Sequence, residues 1–174
     1  METIALNDWI VVPKEEVEKI GKLRQKVHTD VNNSTQRFFD DKDKEDIIGG
    51  AVEWAFEQKT GLPMDRSLRP YGDGHVDFEF KWRGHPVTVD VKGAQKPFHL
   101  FIKEWEIDQA AKITVLAHFE NFKVRFIGWE FKDVMEQMPV KAFHWGGIRN
   151  YYRKAESLRP MEKLYQMIQE RDLC

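Results

Sequence analysis

The chain has 174 residues, 41% hydrophobic and 13% aromatic, enough to build the core of one domain. Charged residues make up 32% with a formal net charge of −2, which excludes a bulk polycation and confines any nucleic-acid surface to a local patch. Cys174 is the only cysteine, so an internal disulfide framework and a cysteine-based zinc site are excluded and a reducing, cytoplasmic setting is expected.

Residues 1–20 are rich in Asp, Glu and Lys, with no apolar run of signal-peptide length, and no stretch approaches a membrane span. A soluble protein without a membrane partner is the expectation. Met1–Val12 reads as a short strand or an arm. From Pro13, the residues Val17, Ile20, Leu23 and Val27 recur at helical spacing, weakened by Gly21. Thr29–Thr35 is a polar turn or loop. The all-charged run Asp40–Asp46 suits a first helical turn, and a helix is predicted from about Lys42 to Lys59, closed by Gly61 and Pro63. Its apolar face is Ile48, Ala51, Val52, Ala55 and Phe56, with Glu53 at the edge of the stripe. Gly49 and Gly50 each cost this helix roughly 1 kcal/mol against alanine. Tertiary structure must therefore want that surface bare, either for close packing or for a ligand approaching Glu53.

The stretch Tyr71–Lys96 follows. It opens on a Gly/Asp turn and predicts one strand from His75 to Lys81, a turn through Trp82–His85, and a second strand from Pro86 to Lys92. Val76, Phe78 and Phe80 share one face of the first strand, as Val87, Val89 and Val91 do in the second. Laying the apolar faces together pairs Phe80 with Val87, Phe78 with Val89 and Val76 with Val91. That register sets Asp77 opposite Asp90, with Lys92 on the same face, to a tolerance of a two-residue slip. Carboxylates facing each other across a ladder, about 5 Å apart at Cβ, destabilise a sheet unless something positive lies between them, and they can share one hard cation. The plain alternative is a solvated polar face on an amphipathic hairpin.

Beyond the hairpin, Gly93–Leu100 reads as a loop carrying Lys96 and His99, and Trp105–Ala111 as a short helix. Lys112–Phe119 and Lys123–Phe131 read as strands joined by a tight turn at Glu120–Asn121, and Lys132–Met138 as a further helical turn. Phe143–Pro160 reads as a basic, aromatic loop, and Pro160 opens a final helix with Met161, Leu164, Tyr165 and Ile168 on one face.

Glu53 in IIGGAVEWAF, Asp77 in GDGHVDF, and Asp90 and Lys92 in VDVK together resemble the PD-(D/E)xK, or restriction-endonuclease-like, nuclease superfamily. The G-D-G-x-x-D turn is most similar in style to the Mrr-type branch. The resemblance covers about half the chain. It leaves residues 1–42 as an N-terminal arm and 132–174 as a basic C-terminal segment around a core of about 43–131, all within a single domain. Where the superfamily often has Glu before x-K this chain has Asp90, which the motif permits. The resemblance implies an α/β fold with a central mixed four-stranded sheet flanked by helices, extra helices at both ends, and Mg²⁺-dependent phosphodiester cleavage, with Mn²⁺ able to substitute. Asp77 and Asp90 would ligate the ion, with the Val91 carbonyl as a third ligand. Lys92 would orient or help deprotonate the attacking water and stabilise charge at phosphorus. Glu53 would bind a metal-bound water or hold a second ion.

Competing chemistries find little in the sequence. His75, His85, His99, His118 and His144 form no pair at ligand spacing, and neither a G-x-x-x-x-G-K-[ST] loop nor a G-x-S-x-G elbow is present. For gripping a polyanion, Arg149, Tyr152, Arg153 and Lys154 combine cations with flat rings, and Lys96 lies just past the second hairpin strand. The alternative is that Tyr151 and Tyr152 pack the last helix while the cations are merely solvated. Two functional classes stay open: a metal-dependent DNA nuclease, or a non-cleaving nucleic-acid-binding or assembly protein on the same fold. Within the first, a Holliday-junction resolvase, an RNA substrate and a homodimer are all compatible with the sequence.

Overall fold

The computed structural model describes residues 9–20, 39–64, 76–143 and 147–173, with only the backbone described for residues 39–43. Most of the predicted N-terminal arm, the second half of the first predicted helix, the Thr29–Thr35 segment, the Gly72–Gly74 turn with His75, and His144 and Cys174 lie outside the described residues.

In chain order, strand β1 (Ile10–Val11) is followed by a helix α1 described over residues 14–20, then by helix α2 (Phe39–Thr60). The hairpin β2 (Phe78–Trp82) and β3 (His85–Ala94) comes next. A crossover of strand β4 (His99–Lys103) and a 3-10 turn (Glu104–Gln109) leads to β5 (Ile113–Glu120) and β6 (Lys123–Phe131). Helix α3 (Lys132–Met135), β7 (Val140–Ala142), β8 (Arg149–Lys154) and helix α4 (Met161–Gln169) complete the chain. Five strands form a mixed sheet in the order β1-β6-β5-β3-β2, and β4-β8-β7 form a second sheet. Within the first, β3 and β5 are parallel and the other pairs antiparallel.

The hairpin register follows from its apolar faces: Phe78 pairs with Val89 and Phe80 with Val87, as the alternation predicts. The turn is shorter than expected. Trp82 pairs with His85, leaving Arg83 and Gly84 as the two turn residues, both at positive φ (49° and 78°). Two consecutive positive φ values give the turn a twist that matches the flanking strands. The chain after α4 clips this turn, since Asp172 accepts the Gly84 N–H at 2.8 Å and donates its own N–H to the Lys81 carbonyl at 2.7 Å.

Alternation along β3 decides the layers. Val87, Val89 and Val91 are buried with Ala51, Val52, Ala55 and Phe56 of α2 and with Met161, Leu164 and Ile168 of α4. Gly93 continues that face, and a Cβ there would stand 2.7 Å from Ile48 and 2.8 Å from Val52, so glycine lets α2 settle onto the strand. Gly50 performs the same service on the helix's other side, where a Cβ would lie 3.0 Å from Ile20 of α1. Of the two explanations offered for the Gly49–Gly50 pair, close packing accounts for Gly50. The opposite sheet face meets the crossover through a smaller core of Leu100, Ile102, Ile107, Leu116 and Met135.

Four further sequence expectations are corrected. The main sheet has five strands rather than four, because β1 pairs with β6. The predicted loop Gly93–Leu100 contains the end of β3 and the start of β4, and the predicted loop Phe143–Pro160 contains β8. The expected helix Trp105–Ala111 is a 3-10 turn, displaced to Glu104–Gln109. β8 (RNYYRK) lacks the usual polar/apolar alternation because its inward-facing Arg153 is matched by a carboxylate from β6. No helix among the described residues is long and apolar enough to cross a membrane.

Candidate functional site

Thr88, Asp90 and Lys92 occupy the face of β3 turned away from α2 and towards the crossover. Asp90 and Lys92 form an ion pair, Nζ to Oδ2 at 2.9 Å, within a small cleft also lined by Ile102, Glu106, Ala110 and Thr114. Thr114 is the cross-strand neighbour of Asp90 on β5. The crossover's return is fastened to β3, where the Lys112 N–H donates to the Thr88 hydroxyl at 2.9 Å and the Lys112 ammonium to the Pro86 carbonyl at 2.7 Å.

Asp77 sits just before β2, buried, and is bonded to β3 by two of its groups. Its N–H donates to the Val89 carbonyl at 2.9 Å, and its Oδ2 accepts the Val91 N–H at 2.8 Å. The N–H and C=O of a strand residue point to the same side, so the Val91 carbonyl also faces this edge, where the β2 ladder has ended. Asp77, Asp90, Lys92 and the Val91 carbonyl are thereby gathered around one stretch of β3.

Burial pushes the Lys92 ammonium's pKa down, but the Coulomb attraction and hydrogen bond of Asp90, with further attraction from Glu106 and Asp77, outweigh it, and the net direction is up from 10.5. Lys92 is therefore a cation at neutral pH. It can stabilise developing negative charge, and in this state it is not a proton acceptor.

Glu106 and Thr114 were absent from the sequence-derived site. Glu106 enters because the crossover folds the 3-10 turn over β3, and no spacing in the sequence signals that contact. It also pairs with Lys103, 3.3 Å away. Glu79 is exposed on β2. Glu53 is buried on α2, the layer that covers the face of β3 opposite Asp90 and Lys92.

The basic set at the C-terminal end is split by strand alternation. Arg153 turns inward to the buried Glu130 at 3.1 Å, and Arg149 pairs with Glu104 at 3.0 Å. Tyr152 turns outward into a group of aromatic rings, Lys154 is exposed beside it, and Lys96 is exposed past the end of β3.

Oxygen donors of this kind suit a hard divalent cation. Among the described residues, however, no three His, Cys, Asp or Glu side chains come close enough to hold a metal ion by themselves. The donor set still fits Mg²⁺, which is usually held by one or two carboxylates and keeps several waters or substrate phosphate oxygens as its remaining ligands. No family model matches the chain, and no curated protein or solved structure matches it significantly.

Proposed function

We propose that the protein is a divalent-metal-dependent nuclease of the PD-(D/E)xK kind that hydrolyses phosphodiester bonds in DNA, with RNA as the other candidate substrate. The observation that carries this reading is the surface cleft in which Asp90 pairs with Lys92 beside Glu106, with Asp77 bonded to the neighbouring Val91 N–H. Asp77, Asp90 and the Val91 carbonyl would hold Mg²⁺ or Mn²⁺, which when bound supplies an activated water and neutralises charge on the scissile phosphate. Lys92, a fixed cation 2.9 Å from Asp90, would stabilise the charge that builds on the phosphate oxygens. Asp77 is held by its bond to the Val91 N–H, so its orientation is set before any ligand arrives. Glu53 belongs to this reading only through the family resemblance, as a residue for a metal-bound water or a second ion.

A second reading, a nucleic-acid-binding or assembly protein that does not cleave, rests on strand β8, where Tyr152 and Lys154 face outward beside further aromatic rings. Incubation of the purified protein with linear, circular, single-stranded and branched DNA, and with RNA, separates the two. Cleavage stimulated by Mg²⁺ or Mn²⁺ and stopped by EDTA supports the nuclease. Binding without cleavage of any substrate supports the second reading.

A further inference from the structure

The second sheet turns one face to the main sheet and the other outward. On β4, Leu100 and Ile102 point inward while His99, Phe101 and Lys103 point outward. The register pairs Phe101 with Tyr152 and His99 with Lys154, so Tyr152 and Lys154 share the outer face, and Lys141 reaches it from β7. Phe143 lies among these rings, 4.8 Å from Phe101, 4.8 Å from Tyr152 and 5.3 Å from His99 between centroids. All four rings keep part of their surface exposed. At either end of β4 stands a further exposed ring, Phe98 at 68% and Trp105 at 63%.

Charge distinguishes this face from an ordinary satellite core. Strands β4, β7 and β8 contain no Asp or Glu, in a chain whose formal net charge is −2. Lys141 and Lys154 are exposed on it, with the Lys141 ammonium 5.3 Å from the Phe143 centroid. Flat rings on a sheet with cations beside them match a ligand that offers both π-faces and phosphates. A duplex keeps its base faces stacked internally, so only unpaired bases can use the rings.

We infer that the outer face of the second sheet is a stacking surface for single-stranded nucleic acid, with Phe101, Tyr152 and Phe143 receiving bases and Lys141 and Lys154 receiving phosphates. The choice of occupant rests on the nuclease reading above, but the surface is built independently of the carboxylate cleft.

The test is fluorescence anisotropy in EDTA with labelled oligo-dT, oligo-rU and a duplex of equal length. The wild type is expected to prefer the single strands. Phe101→Ala and Tyr152→Ala should each weaken that binding by about 5- to 150-fold, the range for losing one stacked base. The exposed double variant Lys141→Ala/Lys154→Ala, which removes no buried group, should flatten the slope of log affinity against log salt by about 1.4, at roughly 0.7 per phosphate contact on a single strand. Wild-type protein that binds neither single strand, or prefers the duplex, overturns the inference. So does a double-lysine variant with an unchanged salt slope. If the protein cleaves with Mg²⁺ but the ring and lysine variants bind as the wild type does, this inference fails and the nuclease reading stands. If binding follows the inference and no substrate is cleaved, the nuclease reading fails and the surface stands.

Discussion

Asp90, Thr114 and Glu130 lie in one row across β3, β5 and β6, on the same face of the sheet, and the two carboxylates at its ends have opposite electrostatic circumstances. Glu130, 1% exposed, meets Arg159 at 2.7 Å and Arg153 at 3.1 Å, and also accepts the Phe131 N–H at 2.9 Å. Two guanidiniums serve one carboxylate there. They draw the segment after β8 over β6, where Trp129 and Arg159 form an isolated bridge and the Trp129 indole donates to the Pro160 carbonyl at 2.9 Å. At the other end of the row, Asp90 pairs with Lys92 at 2.9 Å, and Glu106 and then Asp77 add to the attraction on the same ammonium. The first cluster has positive charge to spare and works as a clasp. The second places Asp90, Glu106 and Lys92 along an open cleft.

Several substitutions would break or sharpen this contrast, beginning with the largest effect. Asp90→Asn keeps the shape of the cleft and removes a charge. On the nuclease reading it should lower cleavage by about 10³-fold, within the usual range for losing a central electrostatic group. Its melting temperature should change little, because the Lys92 side chain stays one-third exposed to solvent when its partner is lost. A variant that cleaves normally in a gel assay, or that melts well below the wild type, would show Asp90 to be structural.

Glu130→Ala should show the reverse pattern. It strands two arginines, and because these are 27% and 40% exposed the loss should fall near or below the low end for broken buried pairs, about 2–3 kcal/mol. For a chain of this size that is a drop of about 4–12 °C in melting temperature. Cleavage by the protein that stays folded should persist. Equal losses of activity in the Glu130 and Asp90 variants at a temperature where both are folded would erase the distinction between clasp and site.

Tyr165 gives a smaller, pH-dependent effect and a control from the opposite layer. Burial in the α4 layer raises its phenol pKa well above 10.0. The folded state thus keeps the proton that the unfolded chain releases, so this contribution is intact below about pH 10 and is lost as pH rises further. Urea melts of the wild type should weaken above pH 10. Tyr165→Phe should be the less pH-sensitive protein there while matching the wild type near neutrality. Parallel alkaline profiles for the two proteins would contradict the assignment.

How much of this could be read in advance differs between the same two clusters. The β2–β3 hairpin, its register and the grouping of Asp77, Asp90 and Lys92 were legible because period-two alternation of Val and Phe fixes both face and pairing. Helix α2 was legible from its apolar stripe and the Gly61 stop, which takes φ 73°. The clasp was not. Arg153 and Glu130 are far apart in sequence, and an arginine in a basic run reads as solvated when its buried partner lies on another sheet. The same blindness hid β8, since a strand whose inward face carries a matched arginine breaks the apolar alternation. Glu106 was missed for a topological reason: only the crossover between parallel strands brings its 3-10 turn over β3. The two-residue turn Arg83–Gly84 was read two residues too long because its sequence lacks the Asn-Gly or Asp-Gly signature of such turns.

The most direct test of the central claim is calorimetric titration of the protein with Mn²⁺ and Mg²⁺, without nucleic acid, beside the Asp90→Asn variant. The account predicts saturable binding to the wild type, weakened at least about tenfold in the variant, because a hard cation should lose a first-sphere oxygen charge. Indistinguishable isotherms for the two proteins, or no binding to the wild type even at millimolar metal, would contradict it.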